Sequence, residues 1–195
     1  MIKNIILDVG GVILDDSKEN IEKILKKDSK EIYKKAFGGN FKKCLLGEMT
    51  VDEHIKLLKE DKDYEDINYI LNKKNLKITY PLFKENYEYI KTLKNKGYKL
   101  FILSNITEDS YLYMKEEKLL DIMDGGIYSY QEHLVKPDEK IYELIIKKYN
   151  LKKEETIFFD DKEKNVEAAK KCNIKSIKFE TIEDIKKFDK INSIW

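Results

Sequence analysis

The chain of 195 residues contains no arginine, and all 38 of its basic side chains are lysine. A bound anion must therefore be held by lysine, by hydroxyl groups or by backbone N–H groups, because the bidentate guanidinium is missing. The 37 acidic side chains balance the lysines and leave a net charge of +1. Such a balance offers no basic surface for nucleic acid or an anionic membrane. We expect neither as a partner.

Cysteine and long apolar runs are also scarce. Cys44 and Cys172 match no metal-binding or redox spacing, so we expect two buried free thiols. No apolar run reaches the roughly 18 residues of a membrane span. Asp8 interrupts the apolar start from Met1 to Leu14, which does not match a signal peptide. These absences predict a soluble protein of the reducing cytoplasm.

The remaining pattern alternates between strands and helices. Five short apolar runs, each bounded by polar or turn residues, predict buried strands over residues 5–7, 99–104, 126–129, 156–160 and 175–179. Apolar residues at helical spacing predict helices over 82–96, 138–149 and 163–172, which end at Gly97, near 149 and at Asn173. Strands that alternate with helices predict an α/β fold, with a Rossmann-like parallel sheet and helices on both faces.

Residues 16–81 break this alternation. They contain helical patterns only, over 18–27, 29–37, 51–60 and 64–75, and Thr50 to Glu53 form a capping-box pattern. We expect a small all-helical cap here, inserted into a core made of residues 1–15 and 82–195. The glycine-rich segment 38–43 either reaches over the site or only connects two helices.

Polar side chains stand at the ends of the predicted strands: Asp8, Ser104 with Asn105, Asp160 with Asp161, and Lys136 in the loop after residue 129. In a parallel sheet these ends meet at the edge where ligands bind. Asp8, Asp161 and a backbone carbonyl offer the hard oxygen ligands that a divalent cation needs. Lys136, Ser104 and the N–H groups of the Gly10–Gly11 turn can hold phosphate oxygens. The set predicts metal-assisted phosphoryl transfer with Asp8 as the attacking group.

Four segments in order resemble the motifs of the haloacid dehalogenase-like hydrolases: Leu7–Val12, Leu103–Asn105, Val135–Asp138 and Phe158–Asp161. The resemblance covers the whole chain, with residues 16–81 in the place of the family's cap. It implies hydrolysis of a small phosphorylated metabolite through an aspartyl-phosphate, by a monomer or weak dimer. The implied catalytic groups are Asp8 and Lys136. The implied phosphate ligands are Ser104, Asn105, Gly11 and Lys136, and the implied ligands of Mg²⁺ are Asp8, Gly10, Asp161 and Asp160.

Position 10 departs from the pattern of most phosphatases in that family, which carry a second Asp there as general acid and base. Gly10 retains the backbone carbonyl for the metal but cannot protonate a leaving group, an assistance worth about 10²–10⁴-fold. The chain is similar here to an Asp-x-Gly branch that includes sugar-1-phosphate (alpha-glucose-1-phosphate) phosphatases. We therefore expect a slow phosphatase that prefers activated leaving groups, with a sugar phosphate among its candidate substrates.

Ordinary structural roles compete with several of these assignments. Asp8 and the pair Asp160–Asp161 can each be helix caps, and Lys136 is one of 38 lysines. Asn165 either holds the acidic loop or is a simple polar residue of a first helical turn. Asp15 and Asp16 either face the substrate or stabilise a turn.

The two histidines are assigned no catalytic role. We expect His54 to be solvated or locally hydrogen-bonded, and His133 to be a loop residue. The alternative for His133 is a substitute acid near Lys136.

Two other functions stay open at this point. A 2-haloacid dehalogenase also lacks the second Asp, but it needs no metal and has no use for the Asp160–Asp161 pair. A non-catalytic phosphate-binding or regulatory protein is permitted by Gly10. A phosphorylated signalling receiver is excluded, because its acidic pair belongs on the first strand and its phosphoacceptor lies mid-chain. Metal dependence distinguishes the dehalogenase from a phosphatase, and turnover distinguishes the regulatory protein.

Overall fold

A computed structural model describes residues 1–192. Its centre is a five-stranded, wholly parallel sheet in the order β3-β2-β1-β4-β5. The strands are β1 (Asn4–Leu7), β2 (Lys99–Ser104), β3 (Gly125–Tyr128), β4 (Thr156–Asp160) and β5 (Lys175–Lys178). All five predicted strands are confirmed, with ends that shift by at most one residue. Leu7 pairs with both Ile102 and Phe159, so β1, β2 and β4 end at the same edge.

The segment between β1 and the rest of the sheet is helical. It contains α1 (Lys18–Leu25), α2 (Lys30–Ala36), α3 (Phe41–Leu45), α4 (Val51–Leu57), α5 (Tyr64–Leu71), a 3₁₀ turn at Lys73–Asn75 and α6 (Leu76–Thr79). The predicted capping box is confirmed, because the Thr50 side chain accepts from the Glu53 N–H and the Glu53 carboxylate accepts from the Thr50 N–H. We refer to α1–α6 as the helical insert.

Two details of the helical insert differ from the prediction. The helix expected over 64–75 ends at Leu71, because Asn72 adopts an extended backbone and its side chain caps the 3₁₀ turn. Part of the segment expected as a glycine-rich connection forms α3 instead. Its residues Phe41 and Cys44 are buried in the apolar centre of the insert.

The remaining helices cover the two faces of the sheet. They are α7 (Lys84–Asn95), α8 (Glu108–Glu116), α9 (Ser129–Glu132), α10 (Glu139–Lys148), α11 (Glu163–Lys171) and α12 (Ile182–Asn192), with a 3₁₀ turn at Lys153–Glu155. Ile5 and Phe159 face a cluster that includes Leu93 of α7, whereas Ile6 faces a cluster that includes Ile145 of α10. Helices on both faces confirm the predicted α/β, Rossmann-like class.

The helical insert has an apolar cluster of its own, separate from the two clusters on the sheet. His54 lies within this cluster at 3% exposure, and its Nε2 lies 2.9 Å from the Ala36 carbonyl oxygen. Neither a solvated nor a locally bonded His54 was right, because α4 packs against α3 and α5, which buries the ring, and its partner Ala36 is 18 positions away. Both thiols, Cys44 and Cys172, are buried and free, as predicted.

The chain enters and leaves the helical insert through two adjacent segments. The Asp15 N–H donates to the Pro81 carbonyl at 2.9 Å, and the Phe83 N–H donates to the Ile13 carbonyl at 2.9 Å. This pairing holds the insert next to the carboxyl edge of the sheet. Within residues 1–192 no helix has the length and apolarity that crossing a membrane requires.

Candidate active site

Asp8 follows β1 directly and is the centre of a buried polar group. Its Oδ1 accepts hydrogen bonds of 2.7 Å from the Ser104 hydroxyl and from the Val9 N–H. Lys136 Nζ lies 2.9 Å from the same oxygen. Within residues 1–192 no hydrogen bond reaches Oδ2 of Asp8. One carboxylate oxygen is thus fixed, and the other is left for chemistry.

The electrostatics of this group favour an ionised Asp8. Burial alone would raise its pKa, but the positive charges of Lys136 and Lys162, together with hydrogen bonds from Lys136 and Ser104, outweigh burial and hold the pKa of Asp8 below its ordinary value. A carboxylate nucleophile must be deprotonated before it can attack, so the surroundings prepare Asp8 for that role.

Asp160, the last residue of β4, orients Lys136. The Lys136 ammonium donates to its Oδ2, and the Asn165 amide donates to both of its oxygens at 2.9 and 3.0 Å. The Lys162 N–H donates to Oδ1 at 2.8 Å. Asp160 is fully buried and engaged on both oxygens, so it holds Lys136 and the start of α11 in place.

Asn105 fixes the backbone of Lys136. Its amide donates to the Lys136 carbonyl at 2.9 Å, and its Oδ1 accepts from the Lys136 N–H at 2.8 Å. Both ends of the Asn105 amide are therefore occupied. Sequence reasoning assigned Asn105 to the phosphate, whereas the contacts show a residue that positions the Lys136 loop.

Three carboxylates can share a metal ion. Asp8, Asp160 and Asp161 each offer an oxygen atom, and these atoms lie within 4.8 Å of one another. Oδ1 of Asp161 is buried and accepts no hydrogen bond from residues 1–192, and its nearest cation, Lys162 Nζ, is 4.0 Å away. A buried carboxylate oxygen without a donor is costly. Hard oxygen ligands of this kind fit Mg²⁺, so the residues present suit the cation.

Gly11 makes room for Asp161. Gly11 has φ +74°, and a Cβ on it would lie 2.7 Å from Cγ of Asp161. Its N–H donates to the Leu14 carbonyl at 2.9 Å, so a backbone partner already occupies the predicted phosphate donor. The Val9 N–H is also used, whereas the Gly10 N–H makes no such bond within residues 1–192.

Two further charged residues belong to the site, and sequence reasoning did not single out the first of them, Lys162. Lys162 lines the cavity above Asp8. Burial alone would lower its pKa, but the carboxylates of Asp16, Asp8, Asp161 and Asp160 raise it above the ordinary value. Its position directly after the Asp160–Asp161 pair was the available signal.

Asp16 is the second such residue, and the sequence left it undecided between substrate and turn. It lines the cavity, and burial raises its pKa to about 6, against the opposing charge of Lys162. Asp15 forms the turn instead, with its Oδ1 accepting from the Ser17 N–H at 3.0 Å.

The cavity above Asp8 has a volume of about 370 Å³. Its floor is polar and comes from the sheet edge, with Asp8, Ser104 and Lys136. The opposite wall is largely apolar and comes from α2 and α3 of the helical insert: Tyr33, Phe37, Phe41 and Leu45. The arrangement suits a ligand with a charged end and an apolar body.

His133 lies elsewhere. Its Nδ1 is 2.6 Å from the Leu46 carbonyl oxygen, and His133 is absent from the described residues that line the cavity. It connects α9 to the helical insert and is not placed to act as a substitute acid.

The comparison with known proteins agrees with this arrangement. Residues 2–173 match the haloacid dehalogenase-like hydrolases. The chain belongs to that family. The chain is also 35% identical over 81 residues to the sesquiterpene phosphatase astK of Aspergillus oryzae, a match that covers 41% of each chain. The matched part therefore spans less than half of that relative.

Solved structures share the fold of the chain. A magnesium complex of a HAD family enzyme from Bacteroides thetaiotaomicron aligns with a TM-score of 0.74 at 20% identity, over 92% of this chain and 93% of that one. The L-2-haloacid dehalogenase of Xanthobacter autotrophicus aligns with a TM-score of 0.62 at 16% identity, over 91% and 77%. At these identities the likeness concerns the fold alone. The sugar-1-phosphate branch of the family stays a prediction.

Proposed function

We propose that this hydrolase is a Mg²⁺-dependent phosphatase that cleaves an organic phosphate monoester through an aspartyl-phosphate on Asp8. One observation carries the proposal: Asp8, anchored through its Oδ1, lies in a carboxylate cluster with Asp161, whose buried Oδ1 has no donor within residues 1–192. Asp8, Asp161 and the Gly10 carbonyl would hold the cation, with Asp160 beside them. The cation would neutralise phosphate charge and fix the geometry of attack.

The acidic cluster favours a phosphatase over a dehalogenase. Asp8, Asp160 and Asp161 each bring an oxygen atom within 4.8 Å of the others, and Oδ1 of Asp161 is buried without a hydrogen-bond donor from residues 1–192. A bound cation would supply the partner that this oxygen lacks. Dehalogenation uses no metal and would leave the oxygen unpaired.

The residues of the chain then have separate tasks. Lys136 and the Gly10 N–H bind the phosphate oxygens, and so does the Ser104 hydroxyl once its proton turns from Asp8 to the phosphate. An oxygen of Asp8 bonds to phosphorus as the ester P–O bond breaks, and water later attacks phosphorus and restores the carboxylate. Residues 16–81 serve as the cap whose closure keeps bulk water out during the first of these steps.

The apolar wall supports a substrate with a hydrocarbon body. Tyr33, Phe37 and Phe41 form a continuous aromatic row, with ring centroids 4.5 and 5.2 Å apart. Sugar hydroxyls would find few partners on that row, whereas an apolar chain would bury area against it. The activity named for the relative, a sesquiterpene phosphatase, supports the same choice.

Phosphate release from four candidate substrates tests the proposal. We would assay an isoprenoid monophosphate, glucose 1-phosphate, p-nitrophenyl phosphate and, for halide release, 2-chloropropionate, each with Mg²⁺ and with a chelator. The proposal predicts Mg²⁺-dependent phosphate release, fastest from the isoprenoid ester and abolished in Asp8→Asn. Halide release that persists in chelator would establish the dehalogenase. No turnover of any of the four substrates would favour a regulatory protein.

A further inference from the structure

Gly10 has no side chain, yet the space where its side chain would begin is filled. A Cβ built on Gly10 would lie 2.2 Å from Oδ2 of Asp16, 2.7 Å from its Cγ and 3.1 Å from its Oδ1. Distances this short are overlaps, so no side chain at position 10 is compatible with the present position of Asp16. The carboxyl group of Asp16 therefore occupies the place where a side chain on residue 10 would begin.

Asp16 reaches this place from a different part of the chain. It lies eight positions after Asp8 in the sequence, where the chain leaves the sheet edge for the helical insert. The Tyr33 hydroxyl of α2 donates to its carbonyl oxygen at 3.3 Å. Asp16 is thus tied to the helical insert, which contributes the wall opposite Asp8, and it lines the same cavity as Asp8 and Ser104.

We propose that Asp16 is the catalytic acid and base of this hydrolase. Its carboxyl group, at the entrance to the helical insert, takes the place of the carboxyl group that Gly10 lacks. This proposal rests on the phosphatase function above. In the first step, the ester P–O bond breaks and its electron pair goes to the leaving oxygen, which takes the proton of Asp16. In the second step, the Asp16 carboxylate accepts a proton from the water that bonds to phosphorus. The Asp8–phosphorus bond breaks, which releases phosphate and leaves Asp16 protonated again.

The test compares Asp16→Asn with Asp15→Asn, the adjacent residue that forms a turn and lies outside the cavity lining. Both variants would be assayed with an alkyl phosphate and with p-nitrophenyl phosphate, whose leaving group needs no proton. In Asp16→Asn we expect kcat/KM to fall about 10²–10⁴-fold for the alkyl ester and far less for the aryl ester. Asp15→Asn should resemble the wild type with both.

A second readout separates proton transfer from a structural role. Hydrolysis of the aspartyl-phosphate also needs the base, so Asp16→Asn should release p-nitrophenol in a burst and accumulate phosphorylated Asp8. The double variant Gly10→Asp/Asp16→Gly moves the carboxyl group to position 10 and should recover turnover of the alkyl ester. In Gly10→Asp alone, the new side chain overlaps the Asp16 carboxyl group, so Asp16 has to move aside.

The proposal would be overturned if Asp16→Asn lost kcat/KM equally for both esters. It would also be overturned if Asp16→Asn, like Asp15→Asn, resembled the wild type. Weakened Mg²⁺ binding in Asp16→Asn as the sole defect would overturn it too, since that result would assign Asp16 to the cation. Failure of the wild type to release phosphate from any ester is a different result. It would remove the phosphatase function itself.

Discussion

Lys136 Nζ lies 2.9 Å from Oδ1 of Asp8 and also donates to Asp160, and the side chains of all three residues are at most 5% exposed. Two buried carboxylates therefore share one buried cation. This ammonium offsets a large part of the cost of their desolvation. The same contact that prepares Asp8 for attack also holds the carboxyl ends of β1 and β4 together.

Removal of that cation should affect stability as well as activity. Lys136→Met leaves Asp8 and Asp160 buried without a counter-charge, and we expect the free energy of unfolding to fall by about 3–5 kcal/mol. Urea denaturation measures this. Lys178→Met, which breaks an exposed pair with Glu180, is the control and should change little. Equal effects of the two substitutions would contradict the role assigned to Lys136.

Gly11→Ala should damage the metal site selectively. Its Cβ would overlap Asp161, whereas Gly39, with φ +51°, has nothing within 4 Å of a built Cβ. Gly39→Ala therefore reports the cost of a left-handed alanine alone, about 1–2 kcal/mol. We expect Gly11→Ala to cost more and to weaken the rise in melting temperature that Mg²⁺ produces, as Asp161→Asn should also do. If Mg²⁺ raises the melting temperature of Gly11→Ala and of Asp161→Asn as much as that of the wild type, Asp161 is not a ligand of the cation.

The aromatic row should determine which esters are accepted. Phe37→Ser removes apolar area from the wall opposite Asp8, so kcat/KM for an isoprenoid monophosphate should fall by at least about tenfold while that for a small alkyl phosphate changes little. Tyr64→Ser is the matched control, because Tyr64 packs on the same cluster of the helical insert but does not line the cavity. A uniform fall for every ester would instead indicate damage to the insert.

Asp124 provides a pH-dependent test of an ion pair at the surface, beside the start of β2. Burial alone would raise its pKa, but hydrogen bonds from Lys94 and from the Leu100 N–H hold the pKa below its ordinary value. The folded state thus binds this proton less readily than the unfolded state does. The stabilisation is present above the ordinary value of about 3.9 and is lost as the pH falls through the lowered folded value.

Asp124→Asn should therefore destabilise the protein at pH 7, and the difference from the wild type should shrink as the pH falls below that range. Urea denaturation across pH measures this, with the exposed Asp121→Asn as the control. A difference that stays constant with pH would contradict the assignment.

The strands and the polar residues at their ends were predictable because each strand is a short apolar run that ends at a turn. Asp8, Ser104 and Asp160 follow directly from that pattern and from the parallel register. The five residues of α3 are too few to show a helical period, so the sequence alone did not reveal that helix.

Other features depend on contacts between distant segments, which no local pattern contains. The burial of His54 is decided by how α4 packs against α3 and α5. The pairing of Asn105 with the Lys136 backbone and the overlap of Asp16 with Gly10 both depend on how loops fold back. Sequence reasoning identified the gap at Gly10 but could not show which residue fills it.

The most direct test of the central claim is the covalent state of Asp8 during turnover. Wild-type protein would be mixed with substrate and Mg²⁺, quenched in acid and digested, and the peptide that contains Asp8 would be weighed by mass spectrometry. We predict a peptide heavier by one phosphoryl group, which is absent in chelator and in Asp8→Asn. Mg²⁺-dependent phosphate release with no phosphoryl group on Asp8, or release that continues in Asp8→Asn, would contradict the account.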